Sequence, residues 1–464
     1  MASHPTLIHN KTNESSSSSS SDEPHHSYPR TMRAHLVENY CDHPDFILKQ
    51  DFPVPPLLSD TQLLVHLKAF SLNPADYKTR NGCAKLLFPL RFPAVLGKDG
   101  SGQVVATGSK VLKFKPGDSI VGCQSGNRSG TFAEFAVFEE SECTLKPKEL
   151  SHVQASAFPT AGLTMIEAFR THPEMAPIIE RESQKLLNDD RNQFNDDDYQ
   201  HKPNEEQERE DDDQHKPKLN IMIIGASGGI GCMSLMFVKN FLSRFFRVNK
   251  LIAVCSGKNE RVVSELGANV VIDYMKTSAR HGPQTIHDEG EVNDDENSRL
   301  PSVCQLLRKE HGVEFVDFVL DCYGGYYYYD DVCSHLSNSN VVTSNGSVKR
   351  TFFTTVNPPG IDSLNFTNLL KMAYLMLSTK MKSWLSYSYP VFQLASFEAT
   401  NERYFKLLLE QVAIASCDAK NMEQTIMVEN LPLTVYSFDE IKEAHVVLES
   451  KRAVGKLVID MEKE

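Results

Sequence analysis

The chain has one tryptophan among 464 residues, no cysteine pair at C-x-x-C spacing and no concentrated basic stretch. It also has no apolar run approaching the roughly 18 residues that a membrane-spanning helix requires. Ten scattered cysteines, with no histidine at metal-site spacing, argue against structural zinc and a disulfide framework, and point to thiols in a reducing compartment. Without a basic face there is no groove for nucleic acid. Residues 1–30 are polar, with a serine run at 15–21 and no apolar signal core. A disordered tail on a soluble, cytoplasmic protein is therefore expected.

What is present is enough for more than one core, since 40% of the side chains are hydrophobic and single cores stop growing well below this length. The acidity is local. Residues 180–218 hold fourteen acids against seven bases, and 281–296 hold six acids and no Lys or Arg, which together account for the whole formal charge of −13. From residue 31 to about 160, short apolar or alternating runs (34–37, 63–67, 102–106, 119–121, 132–137) are punctuated by Pro-Gly turns, the pattern of a barrel of short strands. A helix is expected over 153–169. Residues 172–218 read as a solvated acidic insertion. Strands at 219–225, 251–255, 270–272, 315–320 and 341–343 then alternate with helices at 230–241, 259–266 and 301–311, which predicts a doubly wound parallel sheet over 161–345 with a second insertion at 276–298. Residues 346–464, with helices at 364–377 and 402–414 and a strand-helix-strand pattern at 431–459, are expected to return to the first domain.

The strongest local signal is IIGASGGIG at 223–231, because it follows a strand and opens a helix. Glycines let backbone approach a pyrophosphate, and the helix start offers N–H groups and a positive dipole end. Gly225, Ala226, Ser227, Gly228, Gly229 and Ile230 are the candidate cradle. The next strand ends AVCSGKN (253–259), without the Asp or Glu that usually holds the ribose 2′-hydroxyl of NAD. Ser256 and Lys258 could instead bind a 2′-phosphate, which favours NADPH.

Nine motifs in order then resemble the zinc-free quinone oxidoreductase branch of the medium-chain dehydrogenase/reductase superfamily over about residues 32–460: NPADYKTRNG (73–82), FPAVLGKDGSG (92–102), FKPGD (114–118), GTFAE (130–134), PTAGLT (159–164), the glycine fingerprint, LGA running to VIDY (266–274), DFVLD (317–321) and GKLVI (455–459). The resemblance implies a GroES-like β-barrel catalytic domain, completed by the C-terminal segment, around a Rossmann domain. It also implies nicotinamide near Asn73 and Thr164, adenosine phosphate near Ser256, Lys258 and Tyr274, and Lys456 reaching the cleft.

Against the zinc alcohol dehydrogenases of the same superfamily, Asn73 stands for a Cys ligand, Gly97-Lys98-Asp99 for Gly-His-Glu, and residues 157–160 offer no Cys. Amide and ammonium groups cannot replace thiolate and imidazole, so no metal is expected. Hydride transfer would then suit a quinone or an enone, whose oxyanion is delocalised and can be held by hydrogen bonds. Lys78 and Tyr77 are the candidate catalytic donors, with the alternative that Tyr77 packs on the barrel and Lys78 is solvated. Asp76 and Arg80 are expected to form an ion pair. Four tyrosines at 326–329 either line a pocket or cover the sheet end. The stretch 364–389, with Lys371, Lys380, Lys382 and Trp384, could shape the pocket, join a homodimer or rest on a membrane. A monomer or homodimer acting on a small molecule is one reading. A weakly or non-catalytic interaction protein, working in membrane-protein targeting, is the other.

Overall fold

The computed structural model describes residues 28–83, 85–86, 89–126, 128–193, 216–281, 300–324, 327–336, 349–357, 366–385, 390–395, 402–413 and 427–463. The tail at 1–27 and most of both acidic tracts lie outside them. The chain opens with β1 (Thr31–Val37), β2 (Ile47–Pro53) and β3 (Gln62–Leu72), then α1 (Pro74–Arg80) and the strands β4 (Ala94–Val95), β5 (Asp99–Thr107), β6 (Ser119–Cys123), β7 (Phe135–Glu139) and β8 (Cys143–Leu145). Along β3 successive side chains point to opposite faces. Leu64, Phe70 and Leu72 join one buried cluster with Phe132 and Ile459, whereas Leu63, Val65 and Leu67 join another with Ile120 and Phe138. Both faces of this central barrel strand are thereby used.

Two helices, α2 (His152–Ser156) and α3 (Pro159–Phe169), follow where one was expected. Pro159 stands at the first turn of α3, where its missing N–H costs nothing. The segment expected as a solvated insertion begins instead with a helix, α4 (Met175–Gln193). Met175, Ile179 and Ser183, four residues apart, are fully buried on one face of it. That apolar stripe overrides the polar average of the window.

Next come β9 (Lys218–Ile224), α5 (Gly229–Asn240), β10 (Arg247–Cys255), α6 (Glu260–Glu265), β11 (Val270–Asp273), α7 (Val303–His311), β12 (Phe318–Asp321), α8 (Tyr327–His335), β13 (Phe352–Thr355), α9 (Phe366–Leu385), β14 (Val391–Leu394) and α10 (Glu402–Leu408). The strands form one parallel sheet in the order β11-β10-β9-β12-β13-β14, the doubly wound arrangement. In β9, Ile221 and Ile223 face the α3/α5/α10 side while Met222 and Ile224 face α7 and α8, so a continuous apolar run is buried on both faces. The strand expected at 341–343 lies outside the described residues. Tyr328 and Tyr329 are buried on α8 beneath Phe353 and Phe392 and cover the sheet, as the simpler reading had it.

The return to the barrel comes later than residue 346. Both β13 and β14 pair in parallel with the six-stranded sheet, and only β15 (Leu433–Ser437), α11 (Ile441–Glu449) and β16 (Lys456–Asp460) rejoin β3, giving the order β15-β16-β3-β5-β6-β8 with β7 also on β3. The fold is thus a GroES-like barrel and a Rossmann sheet. One buried cluster runs from Ala69, Val121 and Val458 of the barrel into Ile221 and Phe237, so the two cores are continuous.

Candidate active site

At the end of β9 the chain must turn sharply to enter α5. Gly225 takes φ +72°, and its N–H and that of Ala226 both reach the Val254 carbonyl, at 3.0 and 3.1 Å. A Cβ on Gly231 would lie 2.4 Å from the Gly225 oxygen, so glycine is what lets the helix lie this close to the strand. Ala226 is buried, while Ser227, Gly228, Gly229 and Ile230 are half-exposed. Helix α5 has Gly228 as its N-cap and no side-chain cap, so its first N–H groups face outward with the positive dipole end.

The barrel meets this turn through Gly455 and Lys456. The Gly455 N–H donates to the Ser227 carbonyl at 2.8 Å, and its φ of +66°, with a Cβ position 1.9 Å from the Pro432 oxygen, admits glycine alone. Lys456 then runs beneath Gly229, whose Cβ would meet its Cδ at 2.8 Å. Its ammonium, buried, donates to the Leu72 carbonyl at 2.9 Å and to Asn73 Oδ1 at 2.7 Å. Burial lowers the Lys456 pKa, with Asp99 and Asp76 opposing.

Asn73 is oriented in turn by Asp99, which accepts from its Nδ2 at 2.8 Å. The same fully buried carboxylate accepts from Ser71 Oγ at 2.9 Å and from the Thr160 N–H and hydroxyl at 3.0 and 2.5 Å. Asn73, Asp99 and Thr160 are the stretches that would carry zinc ligands, and here they are locked to one another as amide, carboxylate and hydroxyl. Among the described residues no cluster of three His, Cys, Asp or Glu side chains could hold a metal. This donor set does not fit zinc. Thr164, one turn along α3, donates its hydroxyl to the Thr160 carbonyl at 2.7 Å.

Lys78 projects from α1 across to the other sheet, where its ammonium donates to Asn357 Oδ1 at 3.3 Å. Asn357 follows β13 and donates to the Cys322 carbonyl at 2.8 Å, at the end of β12. Lys78 and Tyr77 are both half-buried, so neither is simply solvated. Beside them Asp321, fully buried, accepts from the Tyr323 and Gly324 N–H groups at 2.9 Å, and burial pushes its pKa up to about 6. The expected Asp76–Arg80 pair does not form. Asp76 caps α1 by accepting from the Asn73 N–H at 2.7 Å, and burial pushes its carboxyl up to about 7. Arg80 instead pairs with Glu449 at 2.8 Å and with His445 Nδ1 at 3.3 Å on α11, because its helix face points into the barrel end.

At the far end of the turn, Ser256 is half-buried, Lys258 exposed and Tyr274 half-buried. Two residues missed in the sequence stand among them. Asn259 donates to Ser227 Oγ at 3.0 Å, tying the loop to the glycine turn. Asp273, at the end of β11, brings a carboxylate so close to Gly257 that a Cβ there would lie 2.5 Å from Oδ2. The missing acid at the end of β10 is thus partly supplied by the neighbouring strand. A separate cavity of about 380 Å³, lined by Lys68, Lys146, His152 and Glu462 among others, shares no residue with this group.

Known proteins match both halves of the chain. Residues 59–148 match the alcohol dehydrogenase GroES-like domain and residues 266–459 the zinc-binding dehydrogenase family. A chloroplastic quinone-oxidoreductase homolog of Spinacia oleracea is 30% identical over 245 residues, 53% of this chain and 62% of its own length. The mitochondrial NAD(P)H oxidoreductase RTN4IP1 of Homo sapiens is 27% identical over 259 residues, 53% of this chain and 55% of its own. The chain thus spans little more than half the length of these curated relatives. The solved quinone oxidoreductase from Coxiella burnetii superposes with a TM-score of 0.57 at 21% identity, covering 93% of this chain and 99% of that one. With both domain families in order and the glycine turn between them, the chain belongs to the medium-chain dehydrogenase/reductase superfamily, in its quinone oxidoreductase-like branch.

Proposed function

We propose that the protein is an NADPH-dependent oxidoreductase that reduces a quinone or an α,β-unsaturated carbonyl without a metal. The observation that carries this reading is the locked set Lys456–Asn73–Asp99–Thr160, which joins the barrel to the glycine turn where zinc relatives hold their ion. The relatives named as quinone oxidoreductases and as an NAD(P)H oxidoreductase support the same chemistry. When bound, the cofactor supplies a hydride from its nicotinamide. The chain's own residues bind and orient, and solvent supplies the proton that completes the reduction. The first turn of α5 and the backbone of 225–230 hold the pyrophosphate, and Ser256, Lys258 and Tyr274 hold the adenosine end. Asp99 fixes the Asn73 amide, which together with Lys456 gives the nicotinamide end a rigid polar wall. Lys78, already donating to Asn357, offers an N–H to the oxygen on which charge develops, with Tyr77 beside it on α1. Conjugation spreads that charge, so hydrogen bonds suffice.

A second reading is favoured by one observation, the Asp273 carboxylate beside Gly257, which would accept a ribose hydroxyl and oppose a 2′-phosphate. A third reading, an interaction protein without turnover, keeps the cofactor cradle and loses the chemistry. The discriminating experiment follows consumption of NADPH and of NADH with a panel of quinones and short enones. Saturable turnover with NADPH preferred supports the proposal. NADH preference transfers the assignment to Asp273, and tight cofactor binding with no turnover on any acceptor overturns the catalytic reading.

A further inference from the structure

Helix α9 buries one face, and among its described residues the opposite face is an exposed apolar stripe. At about 3.6 residues per turn, Thr379 and Met376 lie on the inner face, where Thr379 is buried and Met376 packs on the core beneath the six-stranded sheet. On the outer face Leu370, Tyr374, Leu377 and Met381 are 56, 71, 61 and 52% exposed. Their spacing of four, three and four residues makes one continuous stripe along three turns. A single exposed leucine needs no explanation, but an aligned apolar stripe marks a contact surface.

The charges beside the stripe say what kind of contact. Helix α9 carries Lys371, Lys380 and Lys382 and no acid, in a chain whose formal charge is −13. By helical register Lys380 lies on one flank of the stripe and Lys382 on the other, and both are exposed. Asp330 on α8 is an acid near enough to Lys382 to feel its charge. An apolar strip flanked on both sides by lysines is the arrangement of a helix lying in a lipid interface, with its hydrocarbon side chains inserted and its ammonium groups at the headgroups. A second copy of the chain fits poorly. Two α9 helices packed about a two-fold axis would bring lysines of like charge towards one another.

We infer that the outer face of α9 docks the protein peripherally on an anionic lipid surface, a property independent of the dinucleotide site. No described helix is long and apolar enough to cross a membrane, so the contact is one of lying on the surface. The test uses the full chain and vesicles of phosphatidylcholine alone or mixed with phosphatidylserine, read by co-sedimentation. The expected result is binding to the mixed vesicles only, weakened by salt. Leu377→Glu should weaken it on the order of tenfold or more, and Lys380→Ala or Lys382→Ala by about fivefold each. The substituted side chains are exposed, so melting temperature should stay unchanged. Should Leu377→Glu fail to fold, the lysine variants carry the test. Absence of binding to the mixed vesicles, equal binding to both kinds, or undiminished binding in these variants overturns the inference. So does a fall in the protein's solution mass on Leu377→Glu, which would mean that a second copy covers the stripe.

Discussion

Two side chains of opposite sign face the loop that would hold the adenosine, and their balance decides between the two nicotinamide cofactors. Lys258 is exposed and near the glycine turn, whereas Asp273 presses against Gly257. Losing one charged partner of a phosphate costs about 1.5–3 kcal/mol, so Lys258→Ala should weaken NADPH roughly tenfold or more and leave NADH nearly unchanged. Asp273→Asn should shift the ratio the other way. Titrating both cofactors against both variants checks this, and equal losses for both cofactors would remove Lys258 from the site. A second residue-scale prediction concerns pH. His445 is buried, with Nδ1 accepting from Arg80, Glu449 3.9 Å from that nitrogen and the Phe46 and Phe132 rings packed on it. Burial first, then the Arg80 and His35 charges, lower its pKa from 6.5 to about 3. Between those values the unfolded chain holds one proton more than the folded one, so stability is lost as pH falls from about 6.5 toward 3. The slope is about 1.4 kcal/mol per pH unit. Asp76 has the opposite sign, since its folded pKa is raised to about 7. Its contribution declines as pH rises from about 4 to 7. Denaturation midpoints of His445→Gln and Asp76→Asn across pH, each subtracted from the parent, should therefore slope in opposite directions. At this scale the glycine turn was readable because a strand, a turn and a helix follow one another in the chain. Asn259, Asn357, Asp273 and the true partner of Arg80 were not, because each acts on a residue 16 to 369 positions away that only the fold brings near.

Helix α4 shows how an element can hide in a composition. Its C-terminal half is polar, with charges of both signs, but the first two turns present Met175 and Ile179, which bury in one cluster with Tyr404 and Phe405 of α10. Glu180 continues the contact, accepting from the Tyr404 hydroxyl at 2.6 Å and pairing with Arg403. Averaging over the whole window dilutes that stripe until it reads as solvated. Ile179→Ala should then cost about 2–4 kcal/mol, the range for truncating a buried isoleucine. Replacing the whole of 172–218 by a short linker should cost more, because it strips a helix from α10. Replacing 194–215 alone should cost little, since loop closure depends only weakly on length. Urea midpoints of the three proteins provide the comparison. If the full replacement proves as stable as the parent, α4 contributes nothing to the core. The barrel strands and the alternating sheet were legible because their periodicities are short and local. The late return at β15 was not, because β13 and β14 are short strands that declare their sheet only through parallel pairing, β13 with β12 and β14 with β13.

At the scale of the molecule, the proposed cofactor cradle is also the seam between the two sheets. Gly455 bonds the turn, Lys456 runs under Gly229, and the core behind them is continuous from Ala69 to Phe237. A dinucleotide held there would touch elements of both halves and should stabilise them together. A ligand at a hundredfold excess over its Kd adds about 2.7 kcal/mol to a state that alone binds it. The prediction is that NADPH slows amide exchange in β3 and β5 of the barrel as well as in β9 and β10, and that thermal unfolding remains one transition displaced upward. Lys456→Met keeps an unbranched stem under Gly229 but removes the ammonium that sits beside the seam and leaves Asn73 Oδ1 without its donor, while the glycine turn and Ser256 remain. In that variant NADPH should still protect β9 and β10, more weakly, and should no longer protect β3 and β5. Protection of both sheets persisting unchanged in Lys456→Met would mean that the seam is closed by packing alone, and that the lysine has no part in joining cofactor to barrel.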